Sequence, residues 1–180
     1  MHAPTLQAFY DRTVPFLQQR EAEHNMMLSV MMGRLRRQPD IAPIPVYNGW
    51  VESDAGAVVA AAIFADWRLI VSHAAAGYEA ALAVLVEDAA SAPIEALLLP
   101  AEFGAEAVNI WRVQTGQMLI EDFPMRVFRL DSVIPVPNVA GTMRYATLAD
   151  EALMREWLAA FNREAFGETE IDEARITRSI

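Results

Sequence analysis

The run "AVVAAAIF", Ala57–Phe64, followed closely by "WRLIVSH", Trp67–His73, constrains the fold more than any other stretch. Both pieces read as strands, and "VYNGWVES" precedes them across the turn signal "DAG", so the first two strands pair as an antiparallel hairpin. "GYEAALAVLVEDAAS" then carries Ala81, Leu82, Leu85, Val86 and Ala89 on one side, the spacing of a helix. "IEALLLP" is short, continuous and apolar, as a strand buried on both faces should be. "GAEAVNIWRVQTG" predicts another helix, with Gly116 placed to end it. "MLIEDFPMRVFRLDSV" reads as a strand pair or one long interrupted strand, Pro124 marking a bulge or edge position.

Composition removes whole classes of chemistry. All 14 basic residues are arginine, so no lysine is present for Schiff-base chemistry or a Walker-type phosphate loop. With Cys 0, thiolate nucleophiles, thiolate zinc sites and disulfides are excluded as well. A net charge of -10 argues against nucleic acid as a partner, although Arg34, Arg36 and Arg37 form a local basic patch. The longest uninterrupted apolar span, "AVVAAAIFA", is too short for a membrane, and the first residues lack the features of a signal peptide. A cytoplasmic chain is the expectation.

The N-terminal stretch "FLQQREAEHNMMLSVMMGRL" places Leu17, Glu21, His24, Leu28, Met31 and Leu35 at three- and four-residue steps. This predicts one helix, Phe16–Leu35, with Thr13 as its cap, Pro15 in its first turn and an end near Pro39. "APIPV" is a linker beyond it. Glu21 and His24 have the spacing of a di-iron ligand pair, but no second copy exists and the other histidines are His2 and His73. No metal is expected. Met26, Met27, Met31 and Met32 suit a ligand groove or a core; core packing is preferred. His24 is expected at the margin of that stripe, bonded to Glu21, Asn25 or backbone. The four tryptophans, Trp50, Trp67, Trp111 and Trp157, read as core anchors.

After the connector "IPVPNVAGT", Thr147 and Asp150 form a capping-box-like start to "LADEALMREWLAAFNREAF", and Gly167 closes that helix. Leu153, Trp157, Leu158, Phe161 and Ala165 form its apolar stripe. The polar, mostly acidic tail "ETEIDEARITRSI" reads as cut short.

Four stretches, "PFLQQREAEHNMMLSVMMGRL", "GAVVAAAIF…WRLIVSH", "WRVQTG" and "GTMRYATLADEALMREWLAAFNREA", together resemble the N-terminal half of a bacterial two-part GNAT-type N-acetyltransferase. The resemblance covers nearly the whole chain in element order, with the two end segments carrying most of it. It implies an α/β fold: a GNAT-like three-layer α/β/α sandwich with a mixed, largely antiparallel sheet, plus a C-terminal helical arm. Residues 1–137 would be a degenerate GNAT-like domain, and 138–180 a connector and arm leading to a second half. The implied reaction is acetyl transfer from acetyl-CoA to an unidentified small-molecule amine, with the acetyl-CoA motif in that second half. The alternative is a self-contained binding or interaction module without catalysis. The C-terminal helix is expected at a homodimer interface or other protein contact.

The resemblance also locates a cofactor turn. GNAT enzymes hold the acetyl-CoA pyrophosphate at a helix N-terminus through an [RQ]-x-x-G-x-[GA] loop, whose equivalent here is "WRLIVSHAAAGYEAAL". Gly77 is present, but Ala74 replaces the Arg or Gln and Glu79 replaces the small residue. Ser72, His73 and Gly77 are the donors left for a cofactor. Glu52, Asp54, Glu121 and Asp122 are candidate bases, and Tyr145 a candidate acid, without a motif to select among them. No catalytic residue is assigned.

Overall fold

The computed structural model describes residues 1–36, 47–65, 67–122, 124–138, 140–167 and 173–179. The linker "APIPV" and Arg37 lie outside the described residues. The chain divides into two compact units, Met1–Asp131 and Ser132–Ile180, where the sequence places its boundary after residue 137.

In the first unit the fold is α/β, built on a four-stranded mixed sheet in the order β1 (Asn48–Glu52), β2 (Val58–Ala65), β3 (Arg68–Val71), β4 (Ala96–Leu98). β1 and β2 are the expected antiparallel hairpin, with Gly56 at φ +76° supplying the left-handed turn position. β3 pairs antiparallel with β2 and parallel with β4. A parallel pair needs a crossover, here the helix α3 (Ala81–Ala89).

Alternation along β2 gives the sheet two buried faces. Ala60, Ala62 and Phe64 enter one core with Leu82, Leu85 and Val86 of α3 and with Ala107 and Trp111 of α4 (Gly104–Thr115). Ala61, Ile63 and Ala65 enter the other, with Phe9 and Phe16 of α1 (Leu6–Leu17) and Met27 and Met31 of α2 (Asn25–Arg36). Alanines on both faces let helices approach closely on either side. Val59 joins Ala60 on one face because the β1–β2 register shifts there, between Val51 and Glu52. On the α3 side of β1, Gly49 has a steric reason: a Cβ would sit 2.6 Å from the Tyr47 hydroxyl oxygen. That hydroxyl donates to Asp88 Oδ2 at 2.8 Å.

The N-terminal helix is corrected in two respects. There are two helices, α1 and α2, separated by a 3₁₀ turn at Gln18–Arg20 and a further turn reaching His24. Thr5, not Thr13, caps the first, accepting from the Ala8 N–H at 3.1 Å. Thr13 is buried inside α1, where its hydroxyl donates to the Phe9 carbonyl at 2.8 Å. Pro15 sits in the last turn of α1, close to the break, rather than in a first turn.

The expected strands within Met118–Val133 are also corrected, because none forms among the described residues there. Of the tryptophans, Trp111 alone is deeply buried, whereas Trp67 and Trp157 are exposed.

In the second unit, Thr147 and Asp150 form the expected capping box ahead of α5 (Glu151–Phe166), and Gly167 ends the helix at φ +65°. Arg144 grips Asp150 through two bonds of 2.7 Å, and this guanidinium holds the carboxyl well below the usual carboxylate range. The tail forms α6 (Glu173–Ser179), whose Ile176 is buried.

Candidate functional site

β3 and β4 run parallel, so the turns that follow them open at the same end of the sheet, where α/β folds place their ligands. The first turn, Ser72–Ala80, contains all three residues picked out from the sequence.

Ser72 is buried and its hydroxyl is committed. It accepts from the Ala61 N–H at 3.0 Å and donates to the His73 carbonyl at 2.7 Å, locking the end of β3 to β2. His73 gives its main-chain N–H to His24 Nε2 at 3.2 Å, while its ring is partly exposed, 3.7 Å from a Glu102 carboxylate oxygen. Glu102 lies in the 3₁₀ turn Ala101–Phe103 after β4, so the pair spans the two turns. Sequence reasoning missed Glu102. Its signal is its place just beyond "LLLP", at a strand-to-helix junction.

Gly77 has φ +81°, and its N–H donates to Glu79 Oε1 at 3.1 Å. The Glu79 carboxyl is held below its ordinary range by its own amide and then by that of Gly77. The amide a phosphate would use is therefore occupied by the chain's own carboxylate. Ala74, where the resemblance leads one to expect Arg or Gln, packs against the α3–α4 core and so faces apolar side chains. With a fixed negative charge on its amides and no cation from that position, this turn does not fit a pyrophosphate.

His24 answers the question its sequence context raises. It precedes α2 and is 3% exposed, not at the margin of a stripe. Nδ1 lies 2.9 Å from the Leu17 carbonyl, and Nε2 accepts the His73 amide. A carbonyl only accepts and an amide only donates, so the ring is the neutral Nδ1–H tautomer with both nitrogens engaged. Burial is the main cause that pushes its pKa below the ordinary histidine value. The ring ties the end of α1 to the end of β3, with Phe16 packed beside it. Nδ1 carries a proton and the one lone pair, on Nε2, accepts the His73 amide, so the ring presents none to a metal. Among the described residues no group of three His, Cys, Asp or Glu side chains is placed to hold a metal ion.

The other candidates are scattered. Glu52 Oε1 accepts from Trp50 Nε1 and from Arg12 Nε, each at 2.7 Å, and so clamps α1 to the hairpin. Asp54 lies in the hairpin turn, and Glu121, Asp122 and Tyr145 are exposed in irregular segments. Met27 and Met31 are core residues, whereas Met32 is exposed. A shallow hollow of about 410 Å³ between Glu87 and residues of α4, including Arg112 and Val113, contains none of these candidates.

No family model, curated protein or solved structure matches this chain. No helix among the described residues is long and apolar enough to cross a membrane.

Proposed function

We propose that this chain is the N-terminal, non-catalytic half of a GNAT-type N-acetyltransferase. The other half binds acetyl-CoA and transfers its acetyl group to an amine. This half supplies scaffold and substrate contacts. The element order β1–β2–β3–α3–β4, with parallel β3 and β4, supports the reading alongside the sequence resemblance. The observation that carries its non-catalytic part is the Glu79 carboxylate on the Gly77 amide. A carboxylate there repels the group that the equivalent amides bind in an active member of the family.

Two measurements test it. Calorimetric titration of the chain with acetyl-CoA should give only heats of dilution; dissociation in the low micromolar range would overturn the non-catalytic assignment. The gene should continue past Ile180 into a segment with an [RQ]-x-x-G-x-[GA] motif, and a stop codon directly after Ile180 would overturn the two-part reading.

A second reading, a binding module without catalysis, is favoured by one observation in the second unit. Leu153 and Trp157 lie one turn apart on α5, and Trp157 is 61% exposed. An exposed apolar ridge of this kind marks a contact surface. Under this reading Trp157→Arg leaves the melting curve in place and weakens association seen by light scattering. A loss of folding would instead show that Trp157 is needed within its own unit.

A further inference from the structure

Two features of the first unit have unused halves that match each other. β4 is the last strand of the sheet, with β3 on one side and, among the described residues, no strand on the other. Among the described residues no main-chain hydrogen bond reaches its open edge. Such edges are ordinarily blunted by charge or proline, but the strand itself reads Ala96–Leu97–Leu98. Leu97 packs toward one core and Leu98 toward the other, so the edge is apolar on both faces.

The matching half is the segment Met125–Leu130, "MRVFRL". It has the β-branched and aromatic content of a strand but takes no regular structure, and Phe128 is 86% exposed. Charge favours the match as well. Exposed Glu95 and Glu102 flank β4, while the segment carries Arg126 and Arg129 in a chain of net charge -10. Arg129 pairs with Asp131, just beyond the segment, and both are exposed, so that pair holds little against a better partner.

We propose that Met125–Leu130 of one copy adds as a strand to the β4 edge of a second copy, in a reciprocal exchange. Main-chain bonds along the edge supply affinity, and Val127, Phe128 and Leu130 gain apolar cover. A two-fold exchange uses both edges and both segments and leaves none over, so it closes as a dimer. This contact lies in the first unit and is independent of any made by α5.

The absence of cysteine makes the test clean. Leu97→Cys is mixed with Val127→Cys and, separately, with Phe128→Cys, two neighbours that cover both faces of the added strand. A disulfide requires the two Cα atoms to approach within about 7 Å. The proposal expects a disulfide-linked dimer in one mixture, at several times the yield of either variant alone. Glu95→Cys replaces Leu97→Cys if the latter fails to fold. A cross-link formed only within one chain, in a variant carrying both cysteines, would overturn the proposal in favour of docking on the chain's own sheet. No cross-link in any combination would overturn it too. In the otherwise unaltered chain, Phe128→Asp should weaken self-association at least tenfold by sedimentation without moving the melting curve; unchanged sedimentation would count against the exchange.

Discussion

Trp111→Ala should lower the stability of the chain by about 3–5 kcal/mol, the cost of emptying a large aromatic site in a packed core. Trp111 is 2% exposed and lies where α4 closes the core over Leu82, Leu85 and Val86. Its Nε1–H donates to Gln117 Oε1 at 3.2 Å, beside the Gly116 turn that ends the helix. Alanine would remove the ring and that link together. Trp111→Phe keeps most of the volume and should recover roughly half of the loss, since volume-conserving changes are the better tolerated. Urea unfolding followed by circular dichroism measures both. A loss under about 1 kcal/mol for alanine would mean that α4 is not a structural wall of this core.

His24→Leu should cost about 2–4 kcal/mol at neutral pH, because it leaves the Leu17 carbonyl and the His73 amide without their partner in a buried place. The pH dependence separates this from a packing defect. The folded pKa of His24 lies below its value of 6.5 in an unfolded chain, so near and below that pH the unfolded state binds more protons. Stability is then fully present above about pH 6.5 and falls as the pH drops, by up to about 1.4 kcal/mol per pH unit. The loss continues until the folded pKa is reached. Protonation also turns Nε2 from acceptor to donor, facing the His73 amide. His73 and Arg20 add repulsion to the charged ring, and Glu23 opposes them. Glu23 is paired with Arg20 and held below its ordinary 4.5, so its own contribution is lost in a separate, more acidic window. Urea midpoints between pH 7.5 and 5 should therefore slope in the parent and flatten in His24→Leu. Parallel slopes would show that His24 does not titrate on unfolding.

Much of the architecture could be read locally. The hairpin around "DAG", the helix closed by Gly116 and the capping box at Thr147 each declare themselves through turn residues and apolar spacing within a few positions; "IEALLLP" does form a strand, but a half-buried one at the sheet edge rather than one buried on both faces. Those signals depend on nearby backbone chemistry, which a short window contains. The N-terminal helices were less legible. Thr13 and Pro15 look like a helix start, yet the tertiary core takes Phe9, Thr13 and Phe16 on one face of α1, and the chain breaks only after Leu17. Met118–Val133 shows the opposite discrepancy: strand-like residues that, among the described residues, pair with no strand.

The sequence alone determined which side-chain chemistries these 180 residues lack. No lysine and no cysteine means no side-chain amine nucleophile and no thiolate in these residues, whatever the fold. It also determined that a carboxylate follows Gly77 by two positions. What that carboxylate does was decided by the tertiary structure, where it bends back onto the Gly77 amide. The same holds for His24, whose partners are seven residues back at Leu17 and forty-nine residues on at His73. A histidine between a polar turn and a methionine-rich helix has many permitted roles in a linear reading. Only when α1 and β3 are brought together does each ring nitrogen meet one partner of fixed polarity, and hydrogen-bond polarity then leaves a single tautomer and a structural role.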